Sequence, residues 1–491
     1  MNSDMMLTVN QTATNYKLIN AICKEQLGGE FELVILVDTG RAENTQAWRQ
    51  KEVLLSVNYR EFTRDFMGYV CDSSVIIEHA GWVEVAIVPY FKLLDDQPRS
   101  RCFVDTSVVA IIQKIANHHW RLKISHAFLN KRYKPLHYVV QYQETDYVFL
   151  KRLMSENGIA YRFADDVMVL FDDIAGYQSV DVADTHIQLW RRQTAFIPER
   201  IQCLGPYTVS LSSTPNRYDL CQHYLAYNST QFNADQSAQF HLNRLKQSQH
   251  PIQASSDALC LSVGAQFSYG RSFVINEIYH FFNVDQGALV YSNQFYCVDA
   301  ALTLSLPYYA RPCTKTALKG TVRSIEKSDL LRARIQFPWD QNKALSPYLS
   351  VRQYWCGDHL GAQFMPHIGD EVWVDFRSGD LSEPIILGPT WRVANYFQVG
   401  APTSYIRLQK KDILFNTQGV YSVVSHSEVA LISRDTLQIE TKKKRDNAMI
   451  AQQQMTLSSY RLISFQVGSS MLTLDGGELT ITADKITINR S

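Results

Sequence analysis

The chain has 491 residues, enough for about three domains of ordinary size. Hydrophobic residues make up 46% and charged ones 20%, which excludes a disordered chain. The 48 Lys and Arg offset 48 Asp and Glu, and a zero formal charge argues against a nucleic-acid binder while suiting a surface covered by other subunits.

The N-terminus lacks a basic stretch followed by an apolar one, so no Sec signal is expected. No uninterrupted apolar run is long enough to cross a membrane as a helix. Nine cysteines (23, 71, 102, 203, 221, 260, 297, 313 and 356) are scattered singly with no CxxC pair. That pattern predicts reduced core thiols made in the cytosol, not a disulfide framework or a zinc site.

In chain order, residues 31–38, 51–59 and 82–90 are rich in β-branched and aromatic residues with partial alternation, and read as strands. Residues 105–120 carry apolar residues at three- and four-residue steps, an amphipathic helix for which Asp105 or Thr106 is the expected N-cap. Tyr138, Val140 and Tyr142 alternate as a strand. Thr145 then caps a second helix with Phe149, Leu150 and Leu153 inward, and Gly158 supplies the left-handed residue past its end. Short strands dominate from 160 to 310 (187–196, 272–282 and 294–304), and Pro307 and Pro312 mark a boundary. Residues 319–391 hold five short apolar strands between turn-rich intervals, the spacing of a small closed barrel of the OB type.

Beyond 400, ALISRDTLQIETKK (430–443) alternates, and the chain ends in LTLDGGELTITADKITIN. Leu472 with Leu474, Leu479 with Ile481, and Ile486 with Ile488 make three aliphatic pairs, with threonines on the opposite face. About six aliphatic side chains do not offset the entropy of ordering about twenty residues. The tail is expected to fold only by stacking identical chains around one axis; a terminal hairpin docked on the OB block is the alternative.

Candidate chemistry is sparse. The acidic pairs Asp95-Asp96, Asp165-Asp166 and Asp172-Asp173 are neighbours in polar contexts and read as turns, not as the separated carboxylates a glycosidase needs. His118 and His119 face different directions, which disfavours chelation. The basic run 442–445 reads as a solvated loop.

The segment 349–388, LSVRQYWCGDHLGAQFMPHIGDEVWVDFRSGDLSEPIILG, closely resembles the OB-domain signature of the VgrG family of type VI secretion spikes. The resemblance runs through Trp355, Gly357, Gly361, Pro366, Gly369, Glu371, Gly379, Asp380, Pro384 and Gly388. Residues 141–163, RIQFPWD (334–340) and the closing strands are similar to further family elements. The chain departs from the family at Arg332-Ala333-Arg334, at His367 after Pro366, and at 388–391. It also lacks the usual insert after Trp391, which implies a shorter spike.

The resemblance implies a mainly β fold with minor α. Residues 1–315 would form a phage tail-hub-like base, 316–392 an OB-fold barrel, and 393–491 a linker and intertwined trimeric β-prism. The implied function is mechanical: a homotrimer caps an Hcp-type tube at its base, meets baseplate proteins, and carries a PAAR-type tip protein or effector. Ile486, Ile488 and Asn489 would be the docking tip. Sheath contraction would drive transient membrane penetration, with no catalytic residue, cofactor, metal or nucleic acid. Export from the cytoplasm would be by the machine itself, and no fused C-terminal effector is expected. A phage-derived tail spike shares this architecture, and a cell-wall hydrolase is the enzymatic alternative.

Overall fold

The computed structural model describes residues 3–41, 45–76, 79, 81–173, 178–182, 186–192, 200–204, 209–213, 221–225, 251–300, 306–307, 309–326, 332–357, 360–362, 364–389, 462–467, 470–475 and 478–486. Two compact units are present, Met1–Tyr396 and Phe397–Ser491. The fold is mainly β, with two short α-helices among the described residues.

The first unit is built on a 13-stranded sheet. Its central run, in spatial order, is Ala288–Asp299, Arg271–Asp285, Lys17–Gln26, Glu32–Asp38, Trp82–Val88, Phe62–Val75, Glu52–Tyr59 and Asp4–Val9, each antiparallel to the next. Period-two alternation decides which face is buried: Leu33, Ile35 and Val37 are fully buried, as are Val53, Leu55 and Val57, while residues between them are partly exposed. The longest hairpin turns at Gln286 and Gly287, both at positive φ (47° and 82°), the mirror-image turn that matches strand twist.

A smaller α+β layer follows. Helix α1 (Val108–Ala116) buries Ile111, Ile112 and Ile115, and α2 (Asp146–Glu156) buries Phe149, Leu150 and Leu153. Thr145 caps α2 by accepting from the Val148 amide, and Gly158 follows at φ 69°. The cap of α1 is Ser107, which accepts from the Ala110 amide, and not Asp105 or Thr106. Those two residues close the strand Arg99–Thr106. Asp105 turns at φ 46°, and the Thr106 hydroxyl is taken by the Val104 carbonyl at 2.8 Å.

The OB block is a five-stranded sheet in the order Leu349–Ser350, Arg332–Gln336, Leu318–Ile325, Glu371–Phe376, Pro384–Pro389. A parallel bridge from Val351 to Ile386, with the Arg352 amide donating to the Ile386 carbonyl at 2.7 Å, joins the outer strands and closes the barrel. Closure removes the edges that would otherwise recruit foreign strands.

In the second unit, three antiparallel strands are described: Leu462–Val467, Ser470–Asp475 and Glu478–Thr482. The aliphatic pairs fall into register, Leu472 opposite Ile481 and Leu474 opposite Leu479, with Thr473 opposite Thr480. The alternating run at 430–443, together with Ile488 and Asn489, lies outside the described residues.

Candidate functional site

Two places concentrate the sequence-predicted residues: the joint between the α+β layer and the OB barrel, and the tail sheet. The joint is built on an antiparallel ribbon of Arg99–Thr106 and Leu136–Glu144. One face sends Phe103 and Val139 into the cluster beneath the helices. The other sends Cys102, Tyr138 and Val140 into the OB core beside Val322, Ile335, Phe337 and Val374. Residues 138–141 are therefore all buried, because both faces of the ribbon are covered.

The segment Phe337–Asp340 locks onto this ribbon. Phe337 fills the barrel and stacks on Trp339 at 4.8 Å, and Trp339 meets Tyr142 edge-on at 5.3 Å. Asp340, 3% exposed, accepts from the amides of Asn342 (3.0 Å), Ala344 (2.8 Å) and, across the joint, Cys102 (3.3 Å). The Gln341 amide donates to the Ser100 carbonyl at 3.0 Å.

A second lock is ionic. Glu156 ends α2, where the helix dipole disfavours a carboxylate. Arg311 compensates with a two-pronged contact, Nε to Oε1 at 2.8 Å and Nη2 to Oε2 at 2.9 Å, while its Nη1 reaches Asp380 Oδ2 at 3.1 Å. Arg152 extends the network to Glu144 (2.8 and 2.7 Å), the Val140 carbonyl (3.1 Å) and Glu156 (3.2 Å). Despite the desolvation that opposes ionisation, the two guanidiniums hold the Glu156 carboxyl below its ordinary range.

The structure gives several signature residues specific work here. Gly379 has φ 78°, and its carbonyl accepts from the Thr314 amide at 3.0 Å. A Cβ on Gly379 would stand 2.7 Å from the Thr314 carbonyl oxygen. Asp380, 2% exposed, accepts from the Ser382 amide at 2.9 Å as well as from Arg311. Gly369 sits at φ 94° in the turn that bonds to Val322, Pro366 is buried beside it, and Glu371 begins the strand that pairs with 318–321. Pro384 and Gly388 lie on the last barrel strand opposite Phe376 and Trp373. Trp355, Gly357 and Gly361 belong to a short hairpin, Trp355–Gly357 with Leu360–Ala362. Trp373 faces outward under Lys319, while Phe376 fills the core.

In the tail, Met471, Leu479, Ile481 and Ile486 are 38%, 55%, 45% and 54% exposed, and every residue of Glu478–Thr482 is exposed. Among the described residues, a single copy thus forms the ladder and leaves Leu479, Ile481 and Ile486 about half exposed.

At least one member of each acidic pair performs structural work. Asp172 accepts from the Asn130 and Lys131 amides and the Tyr133 hydroxyl, contacts that outweigh its desolvation and hold its carboxyl low. Asp95 accepts from Lys92 and Thr145, and Asp166 pairs with Lys123. His118 bonds back to the Lys114 carbonyl at 2.6 Å. Arg152 and Asp340 lie within the family-like segments, but their contacts were not legible there, and Arg311 was missed altogether. The only local signal at Arg311 was its proline-flanked position, which reads as a linker.

Comparison with known proteins places these parts. The phage tail baseplate hub family matches residues 24–201, and the type VI secretion system/phage-baseplate injector OB domain matches residues 318–391. The spike protein VgrG3 of Vibrio cholerae is 25% identical over 370 residues, covering 63% of this chain and 36% of its own length. The chain is a relative of the VgrG spike proteins. It spans between about a third and three-fifths of the length of five curated VgrG relatives. Two solved structures share the VgrG-type fold. A type VI secretion component of E. coli, described as similar to T4 bacteriophage tail proteins, aligns at TM-score 0.57 and 17% identity over 78% of this chain and 99% of its own. A chain of a PdpA-VgrG complex aligns at TM-score 0.57 and 9% identity, over 82% of this chain and 89% of its own.

Proposed function

We propose that the chain is the spike subunit of a contractile injection machine of the type VI class. Three copies would assemble, with residues 1–315 as the base on an Hcp-type tube, 316–392 as an OB collar, and 393–491 as the prism. The observation that carries this reading is the tail sheet, whose in-register aliphatics Leu479 and Ile481 are about half exposed in one copy. Burial by identical neighbours would remove that apolar area from water and leave no open strand edge. The role is mechanical and not enzymatic: contraction supplies the work, export is by the machine, and membrane passage is transient. Baseplate proteins would surround the base. A PAAR-type tip protein or effector would dock at Ile486, Ile488 and Asn489; the PdpA complex formed by a VgrG of similar fold supports a cargo-bearing role. A phage-derived particle is the second reading, favoured by the matched OB family, which covers both machines.

The test is the mass of the full chain by sedimentation. A trimer is expected, with dissociation in Leu479→Asp/Ile481→Asp and after removal of residues 393–491. A wild-type chain that sediments as a monomer with its tail intact overturns the reading.

A further inference from the structure

Away from the joint and the tail, the first unit carries a cleft of about 520 Å³ whose walls include Phe31, Phe62, Phe66 and Phe163. Four carboxylates (Glu25, Asp65, Asp165 and Asp181) line it against two guanidiniums, Arg64 and Arg162. Arg64 is committed to Glu25, the Leu261 carbonyl and His280. Asp65 and Arg162 are not: Asp65 Oδ1 is buried without a donor, and Arg162 Nε is buried without an acceptor. With Arg64 taken up by Glu25, three carboxylates (Asp65, Asp165 and Asp181) face one guanidinium, Arg162, across the cleft, a balance that favours a ligand bringing a cation and an acceptor. Burial, and behind it the charges of Asp65 and Asp166, push the Asp165 carboxyl up, so an added cation would relieve it.

The rim adds an independent feature. Gln178–Ser179 is a short strand paired in parallel with Ala265–Tyr269 alone among the described residues. The amides of Gln178 and Val180 donate inward, to the Gly264 and Gln266 carbonyls at 3.1 and 2.9 Å. Parallel pairing makes alternate residues face opposite ways, so the peptide groups of Ser179, an exposed residue lining the cleft, point away from that ladder. A strand edge that no described residue pairs, beside a pocket, is the arrangement by which extended peptides are recognised: main-chain bonds hold the strand, and the pocket selects a side chain.

We infer that this cleft is a docking site for an extended segment of a partner protein that places one Arg or Lys side chain over the phenylalanines, between Asp65 and Asp165. The segment pairs its backbone with Ser179, and a peptide carbonyl accepts from Arg162. This inference does not depend on the spike assignment.

The experiment uses the full chain and a fluorescein-labelled six-residue peptide of alternating Val and Thr with one central Arg, its Glu counterpart, and N-acetylarginine amide. Fluorescence anisotropy is expected to show saturable binding of the Arg peptide, at least tenfold weaker binding of the Glu peptide, and weakening with salt. Asp65→Asn, which keeps the shape and removes the charge, should weaken the Arg peptide at least tenfold, with circular dichroism verifying the fold. Ser179→Pro, which removes an edge amide without touching charge, should weaken both peptides. As a readout that needs no variant, the Arg peptide should slow maleimide labelling of Cys260, a free thiol lining the cleft, and leave Cys71 unaffected. Equal binding of the Arg and Glu peptides, no protection of Cys260, or affinity for N-acetylarginine amide equal to that for the peptide overturns the assignment.

Discussion

Replacing Arg311 by Met removes the guanidinium that ties α2 to the OB barrel while keeping much of the side-chain volume. The variant loses three charge-assisted hydrogen bonds, two to Glu156 and one to Asp380. Removing one partner from a buried ion pair costs about 3–5 kcal/mol when the other is left uncompensated. Here Glu156 keeps Arg152 at 3.2 Å and Asp380 keeps the Ser382 amide at 2.9 Å, so the expected loss is at the low end, about 3 kcal/mol. The assay is native-state amide exchange, because it reads the joint in the folded chain. A loss of about 3 kcal/mol corresponds to about hundredfold faster exchange for peptides covering 309–317 and 377–383, since each 1.4 kcal/mol is a factor of ten. Peptides covering 32–38, in the far core, should be unchanged. Acid should act in the same direction on the wild type. The folded chain holds the Glu156 carboxyl below the ordinary glutamate value of 4.5, so the unfolded chain takes up the proton first. That stabilisation is complete above pH 4.5 and is lost as pH falls through the lower folded value. Exchange at the joint that rises less than threefold in Arg311→Met would falsify the claim that this network holds the joint.

Gly379→Ala is expected to cost about 2–3 kcal/mol, combining positive-φ strain with the 2.7 Å approach to Thr314 O, whereas Gly369→Ala should cost only about 1 kcal/mol because nothing lies within 4 Å; denaturant unfolding at fixed protomer concentration compares them. Phe337→Ala empties the middle of the OB core and should cost about 3–5 kcal/mol, with a fall in unfolding midpoint but no change in fold by circular dichroism. His280 is fully buried, and desolvation, then the charge of Arg64, holds its pKa well below 6.5. The unfolded chain therefore binds the extra proton, and stability should fall as pH drops below 6.5; His280→Gln should flatten that segment of the pH–stability profile. A profile already flat from pH 7 to 5 in the wild type would sink this reading.

The elements legible in the sequence are those fixed by local physics. Leu33, Ile35 and Val37 announce their strand by period-two alternation, because one face of that sheet is buried. Thr145 and Gly158 announce both ends of α2, because a cap and a left-handed residue are local requirements. The α1 cap misleads by one or two residues, since Asp105, Thr106 and Ser107 can all cap and only the end of the preceding strand decides among them. The joint is not legible this way. Arg311 meets Glu156 across 155 positions, and Asp340 meets Cys102 across 238. No periodicity links residues so far apart. The ribbon at 138–141 hides its role for a related reason: covering on both faces erases the burial contrast that marks a one-sided strand.

What distinguishes the two units is where each finds its missing contacts. The barrel cannot open without uncovering Cys102, Tyr138 and Val140, and the ribbon carrying them cannot shift without pulling Phe103 and Val139 from the helical layer. A shared ribbon makes hub layer and barrel one cooperative body, and the Asp340 and Arg311 locks set its geometry within the chain. Among the described residues, the strands Ser470–Asp475 and Glu478–Thr482 have a ladder and no second layer, and an antiparallel ribbon of this size is marginal in water by itself. Under the proposed trimer its stability should rise with protomer concentration, whereas that of the joint need not. Dilution is thus the perturbation that separates them: it should release the tail while the exchange protection at Thr314 stays where it was.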